Sequence, residues 1–436
     1  MSGSKNTPNG DSRKPAARGT LALAAIVCVL LVWGYVHYAK KGSRPEGPLV
    51  APVAQEPSSK GRAEPASIPV ASATNAVSGL AAQLNDPTSA PKTRRQAARE
   101  LARNGSDDSV AALSRALVQA PPYLKSAIAE ALGGSANPHA RTLLLELVDS
   151  RDEAVARGAI RGLGTRGDPE AADVLANLLL NPQKSSELRT EAASALAEVN
   201  QPGAVAALTR AAREAGDPEV VGAALEALGQ RPFAETEPFF REYLANPNLS
   251  TEAKVAALEA LGNSTGDVAA LLMPFASDPS QEVRAAAAWG ISATESKADL
   301  GQQITGLLKQ ESDAEVRMRL FEALAGQQQY DRAAVLPLVA HEADPAARLA
   351  GLSLVGDWVH TAPTPDLLGF FNETAVPELK NTALTDTSPA SRLASVITLR
   401  RGGTPEAGRA LEEISRLAPD PRTAQAATSA LQAQKK

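Results

Sequence analysis

Cysteine, histidine and aromatic side chains are all scarce in this chain: one, four and 3% of 436 residues. The lone cysteine, Cys28, lies within an apolar run, so the rest of the chain has neither a disulfide framework nor a thiol zinc site. Strand-forming composition is missing too. With 44% hydrophobic residues dominated by alanine and leucine, the core must come from helices packed closely through small side chains. Basic charge is short where a nucleic-acid partner would need it. The formal charge of −5 divides unevenly, because residues 76–436 hold 35 basic against 45 acidic side chains. That balance excludes nucleic acid as the natural partner.

The histidines, His37, His139, His341 and His360, are dispersed. No zinc-ligand spacing, glycine-rich phosphate loop or nucleophile elbow stands in a suitable context. The residues point to no catalytic centre, no metal and no cofactor, and the expectation is a protein that is not an enzyme.

What is abundant is one repeated statement. Asp278-Pro279-Ser280-Gln281-Glu282-Val283-Arg284 followed by four alanines, Trp289, Gly290 and Ile291 reads as a helix. Asp278 or Ser280 caps it, Glu282 faces the positive end of the dipole, and alanine carries no helix penalty. The pattern recurs with closing aliphatics at Leu101, Leu132, Leu163, Leu196, Leu228, Leu261, Ile291, Leu324, Val355, Leu399 and Leu431. Their spacing is near 32 residues, with one interval of 44 between Val355 and Leu399. A fixed period of this size marks a stacked-repeat protein. Helices of about 10 to 13 residues do not persist alone in water, so each repeat draws stability from its neighbours. The predicted fold is all-α: a right-handed α-solenoid of about eleven helix pairs over residues 75–436. The long interval, an insertion near 356–387, holds Trp358, His360, Phe370 and Phe371. It reads as an extra helix or degenerate repeat packing its own rings, or as a protrusion that binds a partner.

The segments Glu282-Val283-Arg284, Glu315-Val316-Arg317 and Glu187-Leu188-Arg189, each followed by an alanine- or leucine-rich helix, resemble HEAT repeats. They are similar to the short variant, close to 31 residues, shared by bilin-lyase-like proteins. The resemblance spans residues 75 to 436 and implies fold more than function. It implies an internal ladder in which the basic residue after valine reaches an acid of a turn. Arg94, Arg189, Arg284, Arg317, Arg348 and Arg392 keep that residue, Lys125 and Lys254 approximate it, and Ala156, Val221 and Ala424 break it. Some HEAT-like relatives, the deoxyhypusine hydroxylases, hold two irons on several His-Glu pairs. Here one such pair occurs, His341-Glu342, too few for that centre. An enzyme or cofactor-handling role of the lyase-like branch stands as the alternative to a binding role.

Before the repeats lies a different kind of sequence. Residues 1–18 are polar and basic, and 19–39 carry no charge, enough to span about 31 Å as a helix. Trp33, Tyr35 and Tyr38 stand at one end, followed by Lys40 and Lys41, as at a membrane interface. The expectation is a single-pass transmembrane helix at 19–39, with a cleavable signal peptide as the competing reading. A proline-rich linker follows at 40–74. Flanking basic residues favour a cytoplasmic N-terminus, which would place the solenoid outside the plasma membrane, in a bacterial cell the periplasm; the cytoplasmic orientation is the alternative.

A candidate binding face follows from stacking the repeats. Two residues before each closing aliphatic stand Arg99, Glu130, Arg161, Ser194, Glu226, Glu259, Trp289, Glu322, Ser353, Ile397 and Ser429, mostly polar among small neighbours. Seven residues earlier the helix returns to the same face, and there Glu187, Glu219, Glu252, Glu282 and Glu315 recur. If these helices line a concave side, the glutamates form an acidic strip around Trp289, suited to a protein or peptide with a basic segment. Capping and the dipole alone explain the earlier row. Glu226, Glu259 and Glu322, near helix C-termini, have no such local reason. Trp289 is either a hot spot or a core residue folded over Leu258 or Phe321.

Overall fold

The computed structural model describes residues 70–294 and 299–434, and every regular element among them is helical. The basic tail, the apolar run at 19–39 and most of the linker lie outside the described residues. The first helix starts at Val70, ahead of the boundary expected at 75. No helix among the described residues is long and apolar enough to cross a membrane.

The helices alternate as eleven pairs among the described residues. Pair 1 is Val70–Asn85 with Pro91–Asn104, pair 2 Asp107–Gln119 with Pro122–Gly133, and pair 3 Pro138–Leu147 with Glu153–Arg166. Pair 4 is Pro169–Leu180 with Ser186–Glu198, pair 5 Pro202–Glu214 with Pro218–Gly229, and pair 6 Phe233–Leu244 with Thr251–Gly262. In pair 7 a single α-turn, Ala269–Leu272, and the 3-10 turn Met273–Ser277 precede Gln281–Ala293. Pair 8 is Gly301–Leu308 with Ala314–Leu324, and pair 9 Arg332–Ala340 with Pro345–Thr361. Pairs 10 and 11 end in Pro389–Gly402 and Pro421–Gln434. Two compact units divide the chain, one running to Ala347 and the other taking up Arg348–Lys436. Each is a stack of helix pairs.

Local chemistry sets these boundaries. Side-chain oxygens of Asp168, Ser185, Ser250, Ser280 and Asp313 each accept from a backbone amide in the first turn, each cap worth about 1 kcal/mol. Ser280 is therefore the cap of the helix beginning at Gln281, while Asp278 accepts from the Ser280 amide and from Lys254 Nζ. The closing aliphatics Leu132, Leu163, Leu196, Leu228, Leu261 and Leu324 are buried, as the period requires.

Two polar lacings tie pair to pair in the larger unit. The first is the ladder that the HEAT resemblance implies. Lys125 Nζ reaches Asp152 of the next pair at 2.7 Å, and Lys254 Nζ reaches Asp278 at 3.4 Å. Arg284 and Arg317 grip Glu311 and Glu342 with two nitrogens each. Arg94 and Arg189 instead reach Tyr123 Oη and the Ala215 carbonyl. Where Ala156 breaks the ladder, Lys184 pairs with Asp149 at 2.7 Å. The second lacing runs along the opposite edge, three or five residues past the closing leucine. Asn137 donates to the Gly105 carbonyl, Arg166 to Ser135, Gln201 to Gly167 and Arg231 to Val199, each reaching the pair before it.

The long interval is taken up within the helix pairs. Its additional residues lengthen two helices: Pro345–Thr361 runs 17 residues, and Pro365–Phe370 continues through a π-turn, Phe371–Ala375, into Val376–Thr385. The rings at Trp358 and Phe371 are buried. A side chain at Gly402 would meet the Phe371 ring at 2.2 Å, so that glycine makes the seat for the phenylalanine. π-Helical hydrogen bonding is rare and occurs mostly as such single turns inside α-helices.

Candidate functional site

From pair 1 to pair 8 the second helices stack directly on one another, bringing equivalent positions side by side. Along the row two residues before the closing aliphatic, the early pairs consume their own charges. Arg99 lies 3.9 Å from Glu130, and Arg161 bridges Glu130 at 3.0 Å and Glu191 at 2.9 Å while also donating to Ser126 Oγ. From pair 5 onward the row changes character. Glu226 and Glu259 are exposed and make no ion pair among the described residues. Burial pushes the Glu259 carboxyl up although part of its surface meets solvent, as expected where many atoms crowd around an accessible group. Glu322 is half-buried; burial raises its carboxyl pKa, and Arg319, at 3.1 Å on the same helix, counters this only in part.

Trp289 is half-buried. A side chain at Gly262 would meet the indole at 2.5 Å, so the ring lies on the bare backbone of the preceding second helix, one turn beyond Glu259. One part of the indole is thus fixed and the rest remains accessible, the posture of a rigid contact residue.

Glu187, Glu219, Glu252, Glu282 and Glu315 are exposed in the first turns of their helices. Hydrogen bonds from Ser280 and from its own backbone lower the Glu282 pKa, and the Glu252 pKa is lowered by its own backbone and Ser250. These are capping interactions. The negative charge of Glu282 opposes the lowering at Glu252, so the two carboxylates feel each other across the junction.

At the His341-Glu342 pair, Glu342 is the ladder acceptor for Arg317, with its side chain 3% accessible, and His341 is exposed with Nδ1 2.7 Å from the Pro337 carbonyl. Among the described residues no three His, Cys, Asp or Glu side chains gather as a metal ion requires. The sequence reading missed two features. Arg319 is one, and its position three residues before Glu322 was the available signal. The other is an open cleft of about 390 Å³ beside the short helices Gly301–Leu308 and Arg332–Ala340, lined by Leu308, Arg317, Phe321, Pro337, Leu338 and Glu342 among others.

Comparison with known proteins assigns the repeats. The family model for HEAT repeats matches residues 77–157, 114–197, 140–229, 183–262 and 237–325, together more than half of the chain. Among solved structures, a chain of the Kap95p–RanGDP structure is 12% identical with a TM-score of 0.51, the alignment covering 83% of this chain and 62% of that one. Importin beta is 15% identical with a TM-score of 0.47, covering 82% and 55%, and human deoxyhypusine hydroxylase is 16% identical with a TM-score of 0.24, covering 84% and 98%. At these identities the likeness speaks for fold alone, and this chain spans less than two thirds of the Kap95p–RanGDP relative. No curated protein matches the sequence. The family match, the period near 32 residues and the laced helix pairs agree: the chain belongs to the HEAT-repeat proteins.

Proposed function

We propose that this protein is a non-catalytic scaffold, anchored in a membrane through residues 19–39, that grips a protein or peptide with a basic segment on the face formed by Glu226, Glu259, Trp289 and Glu322. One observation carries the reading. The same row of positions is closed by its own ion pairs at Arg99, Glu130 and Arg161, and left open at Glu226 and Glu259 beside a half-accessible indole. Retaining a carboxylate where burial disfavours its charge costs the fold and favours a cation supplied from outside. Stacked helices offer an extended face suited to an extended partner. The uncharged run at 19–39 and its aromatic and basic flank support the anchor, and the flanking charges support an extracytoplasmic repeat domain.

The test is a titration of the full chain in detergent with fluorescent lysine- and arginine-rich peptides, against acidic peptides of equal length. Charge reversal by Glu226→Lys, Glu259→Lys and Glu322→Lys together is expected to weaken the basic peptide at least tenfold and leave cooperative unfolding intact. Unchanged affinity would refute the face. A chromophore or stoichiometric iron copurifying with the chain would turn the reading toward the lyase-like alternative. A reporter fused after Lys436, active on one side of the membrane only, decides orientation.

A further inference from the structure

Both lacings of the larger unit stop at the same place. Between pairs 5 and 6 the ladder position is Val221, and the turn it faces, residues 245–250, contains no acid to receive a cation. On the opposite edge the reaching positions of pair 6 are Ser264, three past Leu261, and Gly266, five past. Ser264 is 9% accessible, and its Oγ, buried, has no hydrogen-bond partner. Every other junction from pair 1 to pair 7 keeps a ladder or opposite-edge rung, including the one where Ala156 interrupts the ladder and Gln201 reaches Gly167. The contacts left here lie on the first helices, where Arg213 pairs with Glu242 at 2.8 Å on the surface and sits 5.5 Å over the Phe239 ring, with Arg231–Glu235 inside the connecting segment itself.

What remains is backbone contact. A side chain at Gly229 would meet the Ala260 carbonyl oxygen at 2.2 Å, so the two second helices touch with nothing between them. A central contact with no ladder or opposite-edge rung resists sliding, and only the exposed contacts of Arg213 oppose rotation about it. We propose that the junction between pairs 5 and 6 is a hinge, at which pairs 1 to 5 swing against the following pairs about the Gly229–Ala260 contact. In a stacked array each interface contributes its own stability, so motion concentrates where the edges are unlaced. This goes beyond the gripping face and does not rest on it, although Glu226 and Glu259 flank the pivot.

The hinge is read from spin-label distance distributions in the full chain carrying Cys28→Ser. Labels at Asp173→Cys and Ala234→Cys span pairs 4 and 6, and labels at Asp108→Cys and Asp173→Cys span pairs 2 and 4, so each set crosses two junctions. The first distribution is expected to be at least twofold wider than the second. Restoring rungs with Val221→Arg, Asn248→Glu and Ser264→Arg, copied from Arg284, Glu311 and Arg231, is expected to bring it to the width of the control. Equal widths in the native chain overturn the hinge, as does a wide distribution that the restored rungs leave unchanged. Should the restored chain fail to fold, Lys125→Ala with Arg161→Ala and Arg166→Ala strips the polar contacts between pairs 2 and 3. That change must then widen the control distribution, and its failure to do so equally overturns the proposal.

Discussion

The junction between pairs 2 and 3 and the junction between pairs 5 and 6 share a centre and differ at their edges. In both, glycine brings backbones together: a side chain at Gly133 would meet the Gly162 carbonyl oxygen at 2.2 Å, and one at Gly229 would meet that of Ala260 at the same distance. At the edges the first junction has Lys125–Asp152 at 2.7 Å, Arg166 on the Ser135 carbonyl at 2.7 Å and Arg161 on Glu130. The second has Val221 and Ser264. Apolar stacking therefore builds the solenoid everywhere, while polar lacing decides where it is stiff. An interaction along the edge opposes bending with a longer lever than one at the centre, so modest energies there control shape more than stability.

The comparison breaks most sharply if a laced junction is unlaced. Arg284→Ala removes the two-pronged contact with Glu311, whose side chain is 6% accessible. Leaving a buried carboxylate unpaired is expected to cost about 3 kcal/mol. Burial works to raise the Glu311 pKa, and the hydrogen bonds and charge of Arg284 reverse this to a net lowering. Because the folded-state pKa lies below the unfolded value, the pair contributes stability above the unfolded pKa and loses it as pH falls through the folded one. Urea unfolding should therefore show the gap between variant and native protein closing below the ordinary glutamate range. A gap independent of pH would mean that the loss comes from packing of the arginine stem.

A smaller effect tests the shared centre. Gly158→Val and Gly229→Val each drive a side chain into backbone, at 2.2 Å from the Ser126 and Ala260 carbonyl oxygens. Overpacking of this kind costs about 2 to 3 kcal/mol, and the two losses are expected to match despite the different edges. If Gly229→Val is much milder, the junction between pairs 5 and 6 yields under load, which would sharpen the contrast and point to the hinge. Lys125→Ala ranks below both. Its pair with Asp152 is 25% and 38% accessible, and pairs in that setting contribute about 1 kcal/mol or less.

Much of this architecture was legible in the chain. Closing leucines from Leu101 to Leu261 disclosed the pair stack because burying one face at a fixed period leaves an aliphatic trace. The ladder gaps at Ala156 and Val221 were visible as well, and the turns they face, 181–185 and 245–250, lack acids, a coincidence that could have been read. Arg99, Glu130 and Arg161 alternate in charge at a spacing of 31, which already announces mutual neutralisation, yet the row was read as one strip. The seat of Trp289 on Gly262 was not legible, because it depends on the register between neighbouring helices and not on the pattern within either. The long interval after Val355 was ambiguous for a different reason. A surplus of a dozen residues fits an extra helix as well as two lengthened ones, and only the helix bounds decide.

The smallest expected effect separates the closed and open stretches of the row directly. Glu130→Gln weakens the contacts with Arg99 and Arg161 and is expected to cost up to about 1 kcal/mol, with dependence on salt. Glu259→Gln removes a carboxylate that has no cation and whose pKa is raised by burial, so it is expected to be neutral or to stabilise by a few tenths of a kcal/mol after screening by solvent. A raised folded-state pKa means the folded protein holds its proton longer than the unfolded chain does. Native stability at this site is greatest below the unfolded pKa and declines as pH rises through the folded one. The advantage of Glu259→Gln should accordingly be present at neutral pH and vanish in acid, while the cost of Glu130→Gln falls as salt is added. Parallel urea titrations of the two variants between pH 4 and 7.5 check the pair. Equal signs at neutral pH would show that the open and closed stretches are electrostatically alike, and the distinction between them would not stand.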